Sequence, residues 1–141
     1  MKRKYWETYY KKKKKLFKPS NFSRFIGKKR FLNKKSIILE IGCGDGRDSF
    51  YFSKIAKKVF SVDSSSAIIR KNNLYKIKNN IQNIEFFCIN IGLKKQFKAT
   101  IKKNKFNFVY ARFFLHAVNY KSEKSLFKNF ALLPKNVIYF F

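Results

Sequence analysis

The chain has 141 residues, a length that fits one domain, and its 45% hydrophobic content is enough for a packed core. Its formal net charge is +27, and no stretch approaches the roughly 20 uncharged apolar residues that a membrane-spanning helix needs. The N-terminus lacks the apolar core of a secretory signal, so we expect a cytoplasmic protein. Two cysteines, Cys43 and Cys88, cannot form a disulfide framework, and the single histidine, His116, argues against a zinc site.

The basic charge comes mainly from lysine, since only six of the 34 basic residues are arginine. Proteins that read nucleic acids usually rely on arginine for bidentate and stacking contacts. The joint excess of lysine, asparagine, isoleucine and phenylalanine is typical of an AT-rich genome. The charge therefore allows a nucleic-acid partner without requiring one. Four of the seven acidic residues fall between positions 40 and 63, which marks that segment for a specific role.

Residues 1–35 form a basic, aromatic-rich lead. Tyr5, Tyr9, Leu16 and Phe17 are spaced for a helix with one apolar side that ends near Pro19. A second short helix is predicted to begin at Ser20 or Asn21, which are natural N-cap residues, and to end at Gly27.

From residue 36 onward, apolar runs of strand length alternate with segments of helical periodicity. The runs predict strands at 36–41, 58–62, 84–89, 106–110 and 136–141, and the periodic segments predict helices at 48–57, 65–78 and 122–133. In the helix at 65–78 the apolar positions are Ala67, Ile68, Leu74 and Ile77. This alternation predicts an α/β domain at 36–141, with a parallel sheet covered by helices on both faces.

A glycine-rich turn joins the first predicted strand to the first helix. Gly42, Gly44 and Gly46 alternate, which allows a tight turn and lets a ligand approach the backbone closely. A dinucleotide-binding fingerprint would need a glycine at position 47, where the chain has Arg47. The spacing therefore disfavours a dinucleotide oxidoreductase.

Two carboxylates accompany this turn. Glu40 lies two residues before the first glycine, at the end of an apolar strand, where a buried charge needs a partner such as a cationic ligand group. Asp63 follows the second strand at the distance where a carboxylate holds the two hydroxyls of a ribose. The alternative for Asp63 is an N-cap of the helix that begins near residues 64–66. We favour ribose binding because of the glycine turn.

The segments 38–52 and 59–68, which include the GCGDGRDS loop, resemble class I (Rossmann-like) S-adenosylmethionine-dependent methyltransferases. The resemblance implies a sheet in the order 3-2-1-4-5 and S-adenosyl-L-methionine as the cofactor. It also implies that the loop holds the methionine part, Asp63 the ribose hydroxyls, and the end of the third strand the adenine. Family members often have aspartate where this chain has Asn90, whose amide can still hydrogen-bond the adenine. The implied cofactor-binding residues are Glu40, Gly42, Cys43, Gly44, Gly46, Asp48, Asp63, Ser64, Asn90, Ile91 and Arg112.

The segment after the fourth strand closes the methionine pocket and begins the acceptor site in the enzymes that this chain resembles. Arg112 and His116 are therefore candidates for contact with the cofactor carboxylate or the acceptor, although His116 can also be an ordinary helix residue. Tyr10 is a third candidate, because the lead lies where related enzymes carry a lid, although packing of its aromatic side chains is an equally good explanation. The catalytic residue itself stays unknown, and no metal is expected.

We expect a methyltransferase that acts on a small-molecule or glycan-like acceptor. The alternatives are an RNA or protein methyltransferase and a truncated, inactive remnant that still binds the cofactor. The chain has no Asn/Asp-Pro-Pro-Tyr/Phe sequence after the fourth strand, which argues against methylation of amino groups on nucleic-acid bases. Members of the family continue past the fifth strand, so we expect that strand to be an exposed apolar edge that allows self-association.

Overall fold

The computed structural model describes residues 5, 8, 9, 18–29, 31–91, 93–101, 104–112 and 120–141. Five parallel strands form one sheet in the order β3-β2-β1-β4-β5, as expected. The strands are β1 (Ile37–Ile41), β2 (Lys58–Asp63), β3 (Ile84–Cys88), β4 (Phe108–Tyr110) and β5 (Ile138–Phe140). The helices among these residues are α1 (Asn21–Lys28), α2 (Arg47–Phe52), α3 (Ser66–Lys78), α4 (Lys94–Ile101) and α5 (Tyr120–Phe130).

The central strands alternate their side chains between two buried cores, one on each face of the sheet. In β1, Ile38 packs into the core that includes side chains of α1, α2 and α3, while Leu39 and Ile41 pack into the core that includes α4 and α5. Both faces are thus covered by helices, which confirms the predicted doubly covered sheet.

The polar residues of β1 and β2 share one face of the sheet. Glu40 of β1 pairs in register with Ser61 of β2, and both side chains are buried on the side of α2. In a parallel sheet all strands end at the same edge, so the end of β1, the end of β2 and the start of α2 meet there. That meeting point is where the glycine turn lies.

The lead is described in part. Tyr5, Thr8 and Tyr9 are helical and exposed, and the rings of Tyr5 and Tyr9 stack at 6.4 Å. α1 begins at its N-cap Ser20, whose side chain accepts a hydrogen bond from the backbone of Ser23, as the sequence predicted.

Candidate functional site

The turn between β1 and α2 depends on glycine conformations. Gly42, Gly44 and Gly46 have φ angles of +71°, +52° and +73°, a region that side chains with a Cβ rarely adopt. At Gly46 an added Cβ would also lie 2.9 Å from the ring of Phe50 and 3.2 Å from the amide of Asn72. The three alternating glycines of the sequence motif are therefore a requirement of the backbone.

The backbone amides of this loop are engaged by acceptors of the protein itself. Gly42 and Cys43 donate to the Val62 carbonyl at 2.8 and 3.0 Å, and Gly46 donates to the Cys43 carbonyl at 3.0 Å. Gly44 donates to the Asp63 carboxylate at 3.0 Å. A phosphate-binding loop needs its amides aimed at the ligand. This loop instead uses them to hold its own shape, which agrees with the departure from the dinucleotide pattern.

Asp63, the last residue of β2, links the glycine turn to the start of α3 through hydrogen bonds. Its carboxylate accepts from the Gly44 amide and, at 2.9 Å, from the Ser65 amide. The N-cap of α3 is Ser65, whose hydroxyl accepts from the Ile68 amide, so the N-cap alternative for Asp63 is wrong. An ionised carboxylate accepts several hydrogen bonds at once, so this structural role is compatible with holding a ribose.

Glu40 is 3% exposed and lies against two serines. Its Oε2 accepts a hydrogen bond from the Ser61 hydroxyl at 3.0 Å and a short one from the Ser49 hydroxyl. Burial and the nearby Asp48 carboxylate raise the pKa of Glu40 from its ordinary 4.5 to about 8. Sequence reasoning missed both serines, although Ser61 was detectable as a polar residue inside an apolar strand.

Two clefts open beside the loop and share Ile41 and Gly42. The first, which we call the loop cleft, contains most of the residues assigned to the methionine part; it is lined by Glu40, Ile41, Gly42, Cys43, Gly44, Asp45, Arg47, Asp48, Tyr110 and Arg112. The second, which we call the strand-end cleft, contains the residues assigned to the ribose and adenine; it is lined by Ile41, Gly42, Val62, Asp63, Ser64, Ile89, Asn90, Ile91 and Ser122. Every predicted cofactor residue except Gly46 thus lines one of the two clefts, along one edge of the sheet.

The loop cleft is rich in carboxylates. Asp45 is 6% exposed and forms a bidentate ion pair with Arg47, with N–O distances of 2.9 and 3.1 Å. Glu40 and Asp48 are buried within the same lining. A cleft of this kind suits a ligand with positive charge, such as a sulfonium or an ammonium group, better than a phosphate.

Asp48 was predicted to bind the cofactor, and it does line the loop cleft, but its carboxylate is also the centre of a protein network. It accepts hydrogen bonds from Ser20, Ser23 and Tyr110. Burial and the Asp48 charge raise the pKa of Tyr110 above its usual range, so this phenol stays neutral and is a poor general base.

Of the catalytic candidates, only Arg112 falls within the described residues, where it is half-buried in the loop cleft. Tyr10 and His116 lie outside the described residues, so their predicted roles stay predictions. Another residue that sequence reasoning missed is Asn72 of α3, which is 3% exposed and donates from its side-chain amide to the Gly44 carbonyl at 2.8 Å. α3 thereby helps to fix the central glycine.

The described residues contain no cluster of three or more histidine, cysteine, aspartate or glutamate side chains that could hold a metal ion. They also contain no helix that is long and apolar enough to cross a membrane.

Comparison with known proteins gives matches in sequence and in structure. A family model described as "Methyltransferase domain" matches residues 38–136, which is more than half of the chain. The "Putative RNA methyltransferase R405" of Acanthamoeba polyphaga mimivirus is 39% identical over 72 residues, which are 50% of this chain and 18% of that protein. The chain thus matches less than a fifth of that relative's length.

Among solved structures, the fold resembles the phosphoethanolamine N-methyltransferase 1 of Haemonchus contortus, solved with phosphoethanolamine and S-adenosylhomocysteine, with a TM-score of 0.68. That match has 16% identity and covers 94% of this chain and 29% of the other. A dimethyladenosine transferase from Plasmodium falciparum matches with a TM-score of 0.63 and 22% identity, over 88% of this chain and 40% of that one. The chain therefore belongs to the methyltransferase domain family, as a class I, Rossmann-like member whose cofactor is S-adenosylmethionine.

Proposed function

We propose that this chain holds S-adenosylmethionine across the two clefts and transfers its methyl group to RNA. The observation that carries the cofactor site is the continuity of the clefts, which share Ile41 and Gly42 and contain the predicted contacts in the order of the cofactor's parts. Glu40 and the glycine loop would hold the methionine part, Asp63 the ribose hydroxyls, and Asn90 with Ile91 the adenine.

The described residues at the site do not supply an obvious base, and methyl transfer does not require one for every acceptor. S-adenosylmethionine, when bound, supplies a methyl group that its sulfonium has already activated. The protein's contribution is then mainly to position the acceptor in line with that methyl and to exclude water. Arg112, half-buried in the loop cleft, is our candidate for orienting either the cofactor carboxylate or the acceptor.

Two observations support RNA as the acceptor. The mimivirus relative carries RNA methyltransferase in its name, and it is 39% identical over the 72 matched residues. The net charge of +27 favours contact with a polyanion, through counterion release from phosphates. A small-molecule or glycan-like acceptor, which was the first expectation from the sequence, is the competing proposal, and a protein acceptor is the other alternative.

The test is transfer of a labelled methyl group from S-adenosylmethionine by the purified chain to a heat-treated cell extract, which offers RNA, protein and small molecules as acceptors. We expect the label in the high-molecular-weight fraction to be removed by ribonuclease and not by protease. The Gly44→Val variant is the matched control, because a side chain at φ +52° would distort the loop while leaving the surface charge unchanged. Label that appears only in a protease-sensitive or small-molecule fraction would contradict the RNA proposal, and no transfer to any acceptor would contradict methyl transfer by this chain.

A further inference from the structure

Asp48 joins three separate elements at the methionine end of the site. Its Oδ1 accepts from the Ser20 amide at 2.7 Å and from the Ser23 hydroxyl at 2.8 Å. Its Oδ2 accepts from the Ser20 hydroxyl at 2.8 Å and from the Tyr110 hydroxyl at 2.7 Å. The start of α1, the first turn of α2 and the end of β4 are thus tied to one carboxylate, and we call these four residues the Asp48 network.

The network is shielded from solvent. Ser20, Ser23, Asp48 and Tyr110 are 7%, 0%, 5% and 2% exposed. A carboxylate buried to this degree is stable only when donors surround it, and hydrogen bonds to a charged group are stronger than those between neutral groups. Loss of one donor would leave part of that charge uncompensated, so the four contacts should act as a unit.

Only half of the network faces the ligand site. Asp48 and Tyr110 line the loop cleft, whereas Ser20 and Ser23 are not part of its lining. Ser20 is also the N-cap of α1, and Phe22 in the first turn of that helix stacks on Tyr110 with ring centres 5.8 Å apart. The beginning of α1 therefore packs directly behind one wall of the cleft.

We propose that Asp48 is a positioning residue for the cofactor, acting through Ser20 and Tyr110. It fixes the N-terminus of α1 behind Tyr110 and thereby sets the shape of the loop cleft where the methionine part binds. This inference rests on the proposed cofactor site. It assigns a role in cofactor binding to α1, the part of the lead that packs behind Tyr110, and it is separate from the role predicted for Tyr10. It also differs from direct contact between Asp48 and the cofactor.

A double-mutant cycle separates these two roles. Calorimetry would measure the dissociation constant (Kd) of S-adenosylhomocysteine for the wild type, Ser20→Ala, Asp48→Asn and the double variant. If Asp48 acts through Ser20, each single change should raise Kd about tenfold and the double change by about the same factor, because coupled residues are not additive. Ser20→Thr keeps a hydroxyl and should restore Kd to within about twofold of the wild type.

The matched control is Ser53→Ala, which removes a serine hydroxyl that donates to the Phe50 carbonyl at the end of α2, outside the cleft lining. The Kd of Ser53→Ala for S-adenosylhomocysteine should equal that of the wild type. If Ser20→Ala fails to fold, Ser23→Ala replaces it in the cycle with the same expected non-additivity, because it removes one donor and also lies outside the lining.

The outcomes are distinct. A Ser20→Ala protein that melts at a lower temperature but binds with unchanged Kd would show a purely structural role and overturn the inference. Effects that multiply to about a hundredfold in the double variant would indicate direct contact by Asp48 and overturn it too. If the folded wild type does not bind S-adenosylhomocysteine, the proposed cofactor site fails and this inference fails with it.

Discussion

Glu40 is the residue whose environment departs most from that of an ordinary surface acid. Its pKa is raised to about 8 because it is buried and lies near Asp48. In the unfolded chain the same carboxyl ionises near 4.5. Between these pH values the folded protein holds a proton that the unfolded chain releases, so the free energy of unfolding should fall as the pH rises from about 4.5 to about 8.

The Glu40→Gln variant tests this linkage. In the wild type, the proton on Glu40 should make the free energy of unfolding fall by roughly 1.4 kcal/mol per pH unit between about pH 4.5 and pH 8. The variant should lack this contribution. Urea unfolding at pH 5, 6, 7 and 8 would give the slope for the wild type and the variant. Parallel slopes would mean that Glu40 is ionised in the folded protein well below pH 8, which contradicts the account.

The same proton has a consequence for ligand binding. A cationic ligand group beside Glu40 favours its ionised form, so binding of such a group should release a proton at neutral pH. Affinity for S-adenosylhomocysteine, which retains the ammonium of the methionine part, should therefore rise with pH up to about 8 in the wild type and vary less in Glu40→Gln. Calorimetry in buffers of different ionisation enthalpy would detect the released proton.

At the scale of elements, apolar runs and the glycine turn were sufficient to predict all five strands, although their ends differ from the expected ones. β4 begins at Phe108 and not at residue 106, because Phe106 packs into the core and the Asn107 side chain accepts from the Ile37 amide at 2.7 Å. α2 ends at Phe52 and not at residue 57, because the chain turns there to enter β2. Such ends depend on contacts between distant segments, which local periodicity does not contain.

Among the described residues, the sequence did not predict one of the helices. α4 has the sequence KKQFKATI, and among its side chains Phe97 is buried in the core. A short helix with one deeply buried apolar side chain and several lysines has little periodicity to detect. The strand order, in contrast, came from the family resemblance, since no local pattern specifies which strands are neighbours.

The buried face of α3 also differs from the simplest expectation. Ala67 and Ile68 are buried as predicted, but Leu74 and Ile77 are 67% and 73% exposed. The buried face instead continues through Ile69 to Asn72, which holds the glycine loop. The buried face of α3 thus includes a polar residue, whose side-chain amide donates to the Gly44 carbonyl.

This orientation of α3 gives a direct prediction. Leu74→Gln and Ile77→Gln should each change the free energy of unfolding by less than about 0.5 kcal/mol, as is usual for exposed positions. Ile68→Ala on the buried face should reduce it by about 2–4 kcal/mol. Chemical denaturation of the three variants measures both effects, and a large loss in Leu74→Gln would show that this face is covered.

For the whole molecule, the distribution of charge is as informative as its total. The chain has seven acidic residues, and four of them, Glu40, Asp45, Asp48 and Asp63, surround the glycine turn. The site is thus acidic within a strongly basic protein. Under our proposal the acidic groups serve the cationic cofactor, while the lysines attract an anionic acceptor from outside.

The edge of the sheet formed by β5 presents apolar side chains. Ile138, Tyr139 and Phe141 are 50%, 37% and 49% exposed. An exposed apolar edge strand favours pairing with another chain, so we predict concentration-dependent self-association through this edge. Ile138→Lys with Tyr139→Lys should shift the protein toward the monomer in sedimentation velocity, and a wild type that stays monomeric at high concentration would contradict this prediction.

Binding of the cofactor by the two clefts can be measured by calorimetry with S-adenosylhomocysteine. We expect saturable binding by the wild type and no measurable binding by Gly44→Val. In Asp63→Ala the Kd should be at least about tenfold higher, because the charged hydrogen bonds to the ligand are lost. NAD should not bind. Equal affinity in the wild type and both variants, or no binding by the well-folded wild type, would contradict the account.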